Sequence, residues 1–190
     1  MKLTKFKRRA LILGGVALVG MAAVLVRPLG HLFYTLSQEG DGLAELQPGY
    51  VDDASRLNAT HVAQVWRIPV DHDDPEGQIA RLLKQAQAEG RRVSIAGARH
   101  SMGGHVIYPD GIVIDTLPWN KMQLDEARSV LSVQAGALWK DVIAYLDPRG
   151  KAVAVMQSNN SFSVGGSISV NCHGWQYGQP PIASTVESFR

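Results

Sequence analysis

Ser94-Ile95-Ala96-Gly97-Ala98-Arg99-His100-Ser101-Met102-Gly103-Gly104-His105 is the stretch around which this 190-residue chain is organised. A β-rich run at 92–95 leads straight into it, and a second at 111–115 follows within a few positions. A short glycine-studded connection between two buried strands brings backbone N–H groups close to whatever lies above the sheet. Gly97, Gly103 and Gly104 can take positive φ and approach a ligand with no Cβ in the way. Consecutive exposed N–H donors form a nest for anionic oxygen, so a phosphate or pyrophosphate is the expected guest. The spacing is not that of a Rossmann fingerprint, and no long helix is expected to follow and add its dipole. The same residues also fit a glycine-rich turn that holds nothing.

Outward from this stretch, the pattern predicts a strand at 62–68, an amphipathic helix at 76–89 and a strand at 92–96. Ile79, Leu82, Leu83 and Ala86 share the helix's apolar face, Asp73-Asp74-Pro75 caps its start and Gly90 stops it. Strand, helix, strand is a βαβ unit, which implies parallel pairing. Further strands are expected at 111–115, 129–136 and 152–156, with a helix at 139–146 stopped by Asp147-Pro148-Arg149-Gly150. The run 158–174 is small, polar and glycine-rich, suited to backbone that wraps closely around a ligand or to a long surface loop. His72 between Asp71 and Asp73 lacks a ligand spacing and reads as a solvated helix entry, so no metal site is expected.

The 45% hydrophobic and 19% charged fractions are those of a globular protein. Five of the 19 basic residues, Lys2, Lys5, Lys7, Arg8 and Arg9, precede the first apolar run; the remaining 14 face 17 acidic residues. That balance argues against a nucleic-acid partner. The single cysteine, Cys172, excludes an internal disulfide framework and reads as a small buried packing residue.

Residues 10–26 carry no charge, and at 1.5 Å per residue they span about 25 Å, marginally enough for a hydrocarbon core. The basic flank at 1–9 orients such a helix with its N-terminus in the cytoplasm and the remainder outside. The expectation is a single-pass membrane protein with its domain on the extracytoplasmic side. The alternative is export after signal cleavage at Gly20-Met21-Ala22, and Arg8-Arg9 also resembles a twin-arginine signal. Residues 27–49 read as a linker, with His31 to Tyr34 at the interface and a turn-rich spacer at 38–42, and the globular part starts near Tyr50.

Ile95-Ala96-Gly97-Ala98-Arg99-His100-Ser101 resembles the phosphate-binding loop of the vanillyl-alcohol-oxidase-like flavoproteins, whose FAD domain is called the PCMH type. Among them the sugar-alcohol and aldonolactone oxidases carry a similar G-x-x-H-S. Val164-Gly165-Gly166-Ser167-Ile168-Ser169 with His173-Gly174 resembles the family's second FAD-contacting motif. Thr185-Val186-Glu187-Ser188 and the lead-in Asp53-Ala54-Ser55-Arg56-Leu57-Asn58 are similar to its flanking stretches, so the resemblance covers residues 50–190.

The resemblance implies an α+β fold of two subdomains, 50–118 with the βαβ unit and 119–190 as a partial second one, behind an N-terminal transmembrane helix. It implies FAD as cofactor, with candidate contacts from Ala96, Gly97, Ala98, Arg99, His100, Ser101, Gly104, His105, Gly165, Gly166, Ser167, Ser169 and His173. His100 stands where members with covalent flavin carry the linking histidine; His105 is a second candidate, and His173 borders the flavin. The implied reaction is hydride transfer from a hydroxylated, sugar-alcohol or lactone-like small molecule to flavin, with oxygen or a membrane carrier as electron acceptor. The family continues beyond Glu187-Ser188 with the rest of the FAD domain and a substrate domain. This chain is therefore expected to be the N-terminal part of such an oxidoreductase, or else a non-catalytic remnant or flavin- or partner-binding module, and no catalytic residue is assigned.

Overall fold

The computed structural model describes residues 5–38, 45–70 and 74–189, and the chain divides into a helical unit before residue 46 and a globular α+β unit from Leu46 onward. Asp71, His72 and Asp73, and the spacer residues 39–42, lie outside the described residues.

Helix α1 runs from Lys5 to Gln38, longer than the apolar run at 10–26. Its segment Lys7–Ser37 is long and apolar enough to cross a membrane. The linker expected from residue 27 is helical as far as 38. Pro28 removes one backbone hydrogen bond, while Leu29, Leu32, Phe33 and Leu36 continue a helical apolar spacing beyond it.

The globular unit begins with a two-residue antiparallel pair, β1 (Tyr50–Val51) and β2 (Thr60–His61). A three-stranded parallel sheet follows, from β3 (Gln64–Arg67), β4 (Val93–Ala96) and β5 (Ile112–Asp115), in the order β3-β5-β4. β3 and β4 are parallel, as the βαβ reading requires, but β5 lies between them. All four β5 residues are buried, and a strand apolar on both faces takes the centre of a parallel sheet. Its side chains alternate. Val113 joins Val51, Val62, Ala96 and Ile107 on one face, and Ile112 and Ile114 join Ile68, Leu82 and Ala86 on the other.

Leu82 and Ala86 come from helix α2 (Pro75–Ala88), which covers that second face; Ile79 packs beside them while Leu83 is exposed. Its start follows the sequence closely: Asp74 is the N-cap, its Oδ1 accepting the Gly77 N–H at 2.8 Å, and Pro75 opens the first turn.

The second half opens with an antiparallel hairpin, β6 (Met122–Asp125) and β7 (Val130–Val133). Helix α3 (Trp139–Leu146) buries Trp139, Val142 and Leu146 in a third apolar cluster with Ala137, Val155, Val164 and Ile182. The strand expected at 152–156 does not form. Val155 inserts into this cluster, but no described strand pairs with the segment, and apolar alternation without a ladder partner leaves irregular backbone. Cys172 is half-buried against the same cluster.

Within the glycine-rich run lies a short helix, α4 (Val164–Ser169), that the sequence reading leaves as loop. Two successive glycines argue against a helix on propensity. Gly165 is there because the helix sits directly on the turn before α3: a Cβ at Gly165 would come within 2.8 Å of the Ala135 Cβ.

Candidate functional site

β4 ends at Ala96, whose carbonyl accepts the Thr116 N–H at 3.0 Å and the Thr116 hydroxyl at 3.1 Å. Ala96 is thus buried and committed to the sheet. From Gly97 the chain leaves the sheet. The N–H groups of Gly97, Ala98, Arg99, His100 and Ser101 meet no hydrogen-bond acceptor among the described residues. Residues 97–100 are half-buried and Ser101 is exposed, so these five donors stay open to water or a ligand.

Across from this loop stands α4. Gly97 and Ser163 meet so closely that a Cβ on Gly97 would lie 2.1 Å from the Ser163 Oγ. The expected positive φ at Gly97 is not found; close approach is what demands glycine there. The left-handed residue of the loop is Arg99, at φ 54°.

Loop and helix bound a cleft of about 540 Å³. Gly97, Ala98, Arg99, His100 and Ser101 line one side, and Gly165, Gly166, Ser167 and Ser169 line the other with Phe162 and Ser163. The two glycine-rich stretches, more than sixty positions apart, therefore line one cleft. The first N–H groups of α4 are already engaged. Val164 donates to the Ala137 carbonyl and Gly165 to the Ala135 carbonyl, each at 2.8 Å, and Gly166 to the Ser163 hydroxyl at 3.3 Å. α4 contributes shape, and the 97–101 loop contributes donors.

Asp53 holds the loop from behind. One carboxylate oxygen accepts the Gly103 and Gly104 N–H groups, both at 2.8 Å, and the Asn58 amide at 2.9 Å; the other accepts from the Ser55 N–H and hydroxyl. The Ala54 N–H binds the Arg99 carbonyl at 2.9 Å. The Ser55 hydroxyl holds the Asp53 carboxyl well below the usual carboxylate range against the opposing effect of burial, helped by the Gly104, Ser55 and Gly103 amides.

This corrects part of the nest expected from sequence. Gly103 and Gly104 do have positive φ, 115° and 70°, but their N–H groups serve an internal carboxylate. Gly104 and His105 lie outside the cleft lining, as does Ala96. His173 does too; it is exposed, with Nδ1 3.4 Å from the Gly174 carbonyl.

His100 is half-buried in the cleft wall. Its ring stacks on Phe162 at 4.1 Å between centroids, and its Nε2 lies 3.0 Å from the Ser161 Oγ. Burial lowers its pKa, favouring the uncharged imidazole. Phe162 and Ser161 beside His100, and Asp53 behind the loop, are neighbours of the cleft that the motif reading did not include among its candidate contacts. Asn159-x-Ser161, an Asx-turn pattern, was the available signal. Ala98 and Arg99 also border a second, more polar concavity of about 610 Å³ with Asp52, Asp53, Arg56 and Arg67.

A family model described as FAD binding domain matches residues 74–190. L-gulonolactone oxidase of Mus musculus is 28% identical over 98 residues, 51% of this chain and 22% of that protein. Cytokinin dehydrogenase 5 of Oryza sativa subsp. japonica is 28% identical over 165 residues, 80% of this chain and 31% of that protein. The chain thus spans less than a third of the length of these curated relatives. Among solved structures, cholesterol oxidase from B. sterolicum superposes with a TM-score of 0.52 at 17% identity, over 71% of this chain and 26% of that one, a likeness of fold.

Proposed function

The chain belongs to the FAD binding domain family, and from that premise we propose that it is the FAD-holding part of a membrane-anchored oxidoreductase acting on a hydroxylated, sugar-alcohol or lactone-like small molecule. The cofactor is FAD. The observation that carries the reading is the run of five uncommitted N–H groups from Gly97 to Ser101, on residues that line one cleft with the glycines of α4. A pyrophosphate needs such donors, and a cleft of about 540 Å³ is of the size that holds part of an elongated cofactor.

In this reading the main chain at 97–101 holds the phosphates, while Gly165, Gly166 and Ser169 form the close wall. Bound FAD supplies an acceptor for the hydride removed from an alcohol carbon, and oxygen or a membrane carrier receives the electrons. The substrate class is suggested by the lactone named for the mouse relative. No residue is assigned to the proton transfer. His100 presents an uncharged imidazole in the cleft, the form required of a histidine that carries flavin covalently.

The test is to express the full chain with FAD and precipitate it with acid. Flavin is expected to stay with the wild-type protein and fluoresce in denaturing gels, and to be released from His100→Ala. Complete release from wild type would leave His100 as a packing residue, and a chain that takes up no FAD overturns the reading.

Location follows from α1, whose segment Lys7–Ser37 is the candidate span. The basic residues Lys5, Lys7, Arg8 and Arg9 favour a cytoplasmic N-terminus and an extracytoplasmic domain. The protein is expected to remain with membranes after carbonate washing. A soluble mature chain beginning near residue 23 would instead establish a cleaved signal.

A further inference from the structure

Ser161 makes three contacts whose directions are forced one after another. Its N–H lies 2.9 Å from the Asn159 Oδ1, and only the oxygen of an amide can accept, so the Asn159 side chain has one possible orientation. The Ser161 hydroxyl lies 2.7 Å from that same oxygen, so its single proton is committed to Asn159. The Ser161 Oγ is also 3.0 Å from the His100 Nε2. With its own proton directed elsewhere, the hydroxyl accepts, and Nε2 must carry the hydrogen. The pair is therefore not a nucleophile and its base, because the imidazole donates.

The other ring nitrogen, Nδ1, has no hydrogen-bond partner among the described residues. Protonating it would place an unpartnered cationic donor in a half-buried position stacked on Phe162, which burial opposes.

The seat beneath Asn159 is buried and bonded. Gln157, 5% exposed, donates to the Asn159 carbonyl at 2.8 Å. Its side-chain Oε1 is 3.1 Å from the Ser167 hydroxyl, which shares its proton with the Ser163 carbonyl at 3.0 Å, and Ser167, 1% exposed, accepts the Trp139 indole N–H at 2.8 Å. The loop presenting Ser161 is thus tied through α4 to α3.

We propose that Ser161, seated by Asn159, is a positioning residue that holds His100 in its neutral Nε2–H tautomer and keeps the Nδ1 lone pair free for a group bound in the cleft. The proposal rests on the FAD reading only for what the free nitrogen serves. Asn159 determines the direction of the relay: without its carbonyl, the Ser161 hydroxyl is released to donate to Nε2, and the ring proton moves to Nδ1.

The test is a long-range ¹H–¹⁵N correlation spectrum of the flavin-free full chain in detergent, labelled at histidine, with His100 identified by its absence from His100→Gln. In wild type the Nε2 resonance is expected in the protonated range and Nδ1 in the unprotonated range. Ser161→Ala is expected to collapse that separation toward a tautomer average, and Ser161→Thr, which keeps the hydroxyl, to restore it. Asn159→Ala is expected to reverse the assignment. A wild-type ring protonated at Nδ1, or Ser161→Ala and Asn159→Ala spectra that match wild type, overturns the proposal. If Ser161→Ala does not fold, Asn159→Ala alone decides. The readout contains no flavin, so the expected tautomers in a chain that never takes up FAD would support this proposal while overturning the functional one.

Discussion

Gly97→Val is expected to abolish FAD uptake and to lower stability by about 1–3 kcal/mol, the usual range for overpacking a close contact. Even the first carbon of the new side chain would lie 2.1 Å from the Ser163 Oγ and 3.0 Å from its Cβ. Ser163 cannot move away freely. It is buried, it caps α4 through the Gly166 N–H, and its carbonyl receives the Ser167 N–H. The loop must therefore retreat, and it carries all five uncommitted donors with it. Gly97→Ala is expected to show the same effect in milder form. Adding Ser163→Gly is expected to recover most of the loss, since it removes the colliding oxygen and glycine is itself a tolerable N-cap. Flavin per chain and thermal unfolding read both effects. Flavin content unchanged in Gly97→Val would remove Gly97 from the cofactor contact.

Replacing Asp53 is the second change with a large expected effect. Asp53→Ala leaves the Gly103 and Gly104 N–H groups, the Asn58 amide and the Ser55 donors without their shared acceptor. Asp53→Asn would set an amide N–H₂ against donors on one side of the group. Either variant is expected to loosen the turn behind the cleft and weaken FAD binding by roughly tenfold or more, because charge-assisted bonds are the stronger kind. Titration gives a separate readout. The folded Asp53 carboxyl titrates well below its ordinary value, so its contribution to stability is complete above the unfolded pKa of about 4 and is lost as pH falls toward the folded value. Wild-type thermal stability is expected to decline below about pH 4–5, and Asp53→Asn to show a shallower decline across that window. Parallel acid limbs in the two proteins would show that Asp53 is not the group responsible.

Much of the scaffold was legible because its determinants are local. α3 occupies the span its spacing predicts: Trp139, Val142 and Leu146 form one buried stripe, and Asp147-Pro148 ends it. α2 begins at its cap, Asp74, and at Pro75. β5 falls within the strand expected at 111–115, although its place between β3 and β4 came only with the fold. Through their resemblance to the vanillyl-alcohol-oxidase-like flavoproteins, the two glycine-rich motifs also implied FAD.

Other features depend on partners that a sequence window does not contain. The pattern at 152–156 suggested a strand, but a strand exists only when a neighbour supplies hydrogen bonds, and the segment packs through Val155 instead. α4 forms despite Gly165 and Gly166 because the Ala135 and Ala137 carbonyls and the Ser163 hydroxyl take up its first N–H groups. Glycine at 97 reads locally as conformational freedom, yet its φ is ordinary, and the space it leaves is filled by Ser163.

The same reasoning separates the amides of the organising stretch. By sequence, the N–H groups of Gly103 and Gly104 looked as available as those of residues 97–101. Tertiary structure brought Asp53 to the former and no acceptor among the described residues to the latter. Caps and apolar spacing can be read along the chain because they act within a few residues. Whether a donor is free for a ligand depends on acceptors fifty or more positions away, and folding alone brings those into range.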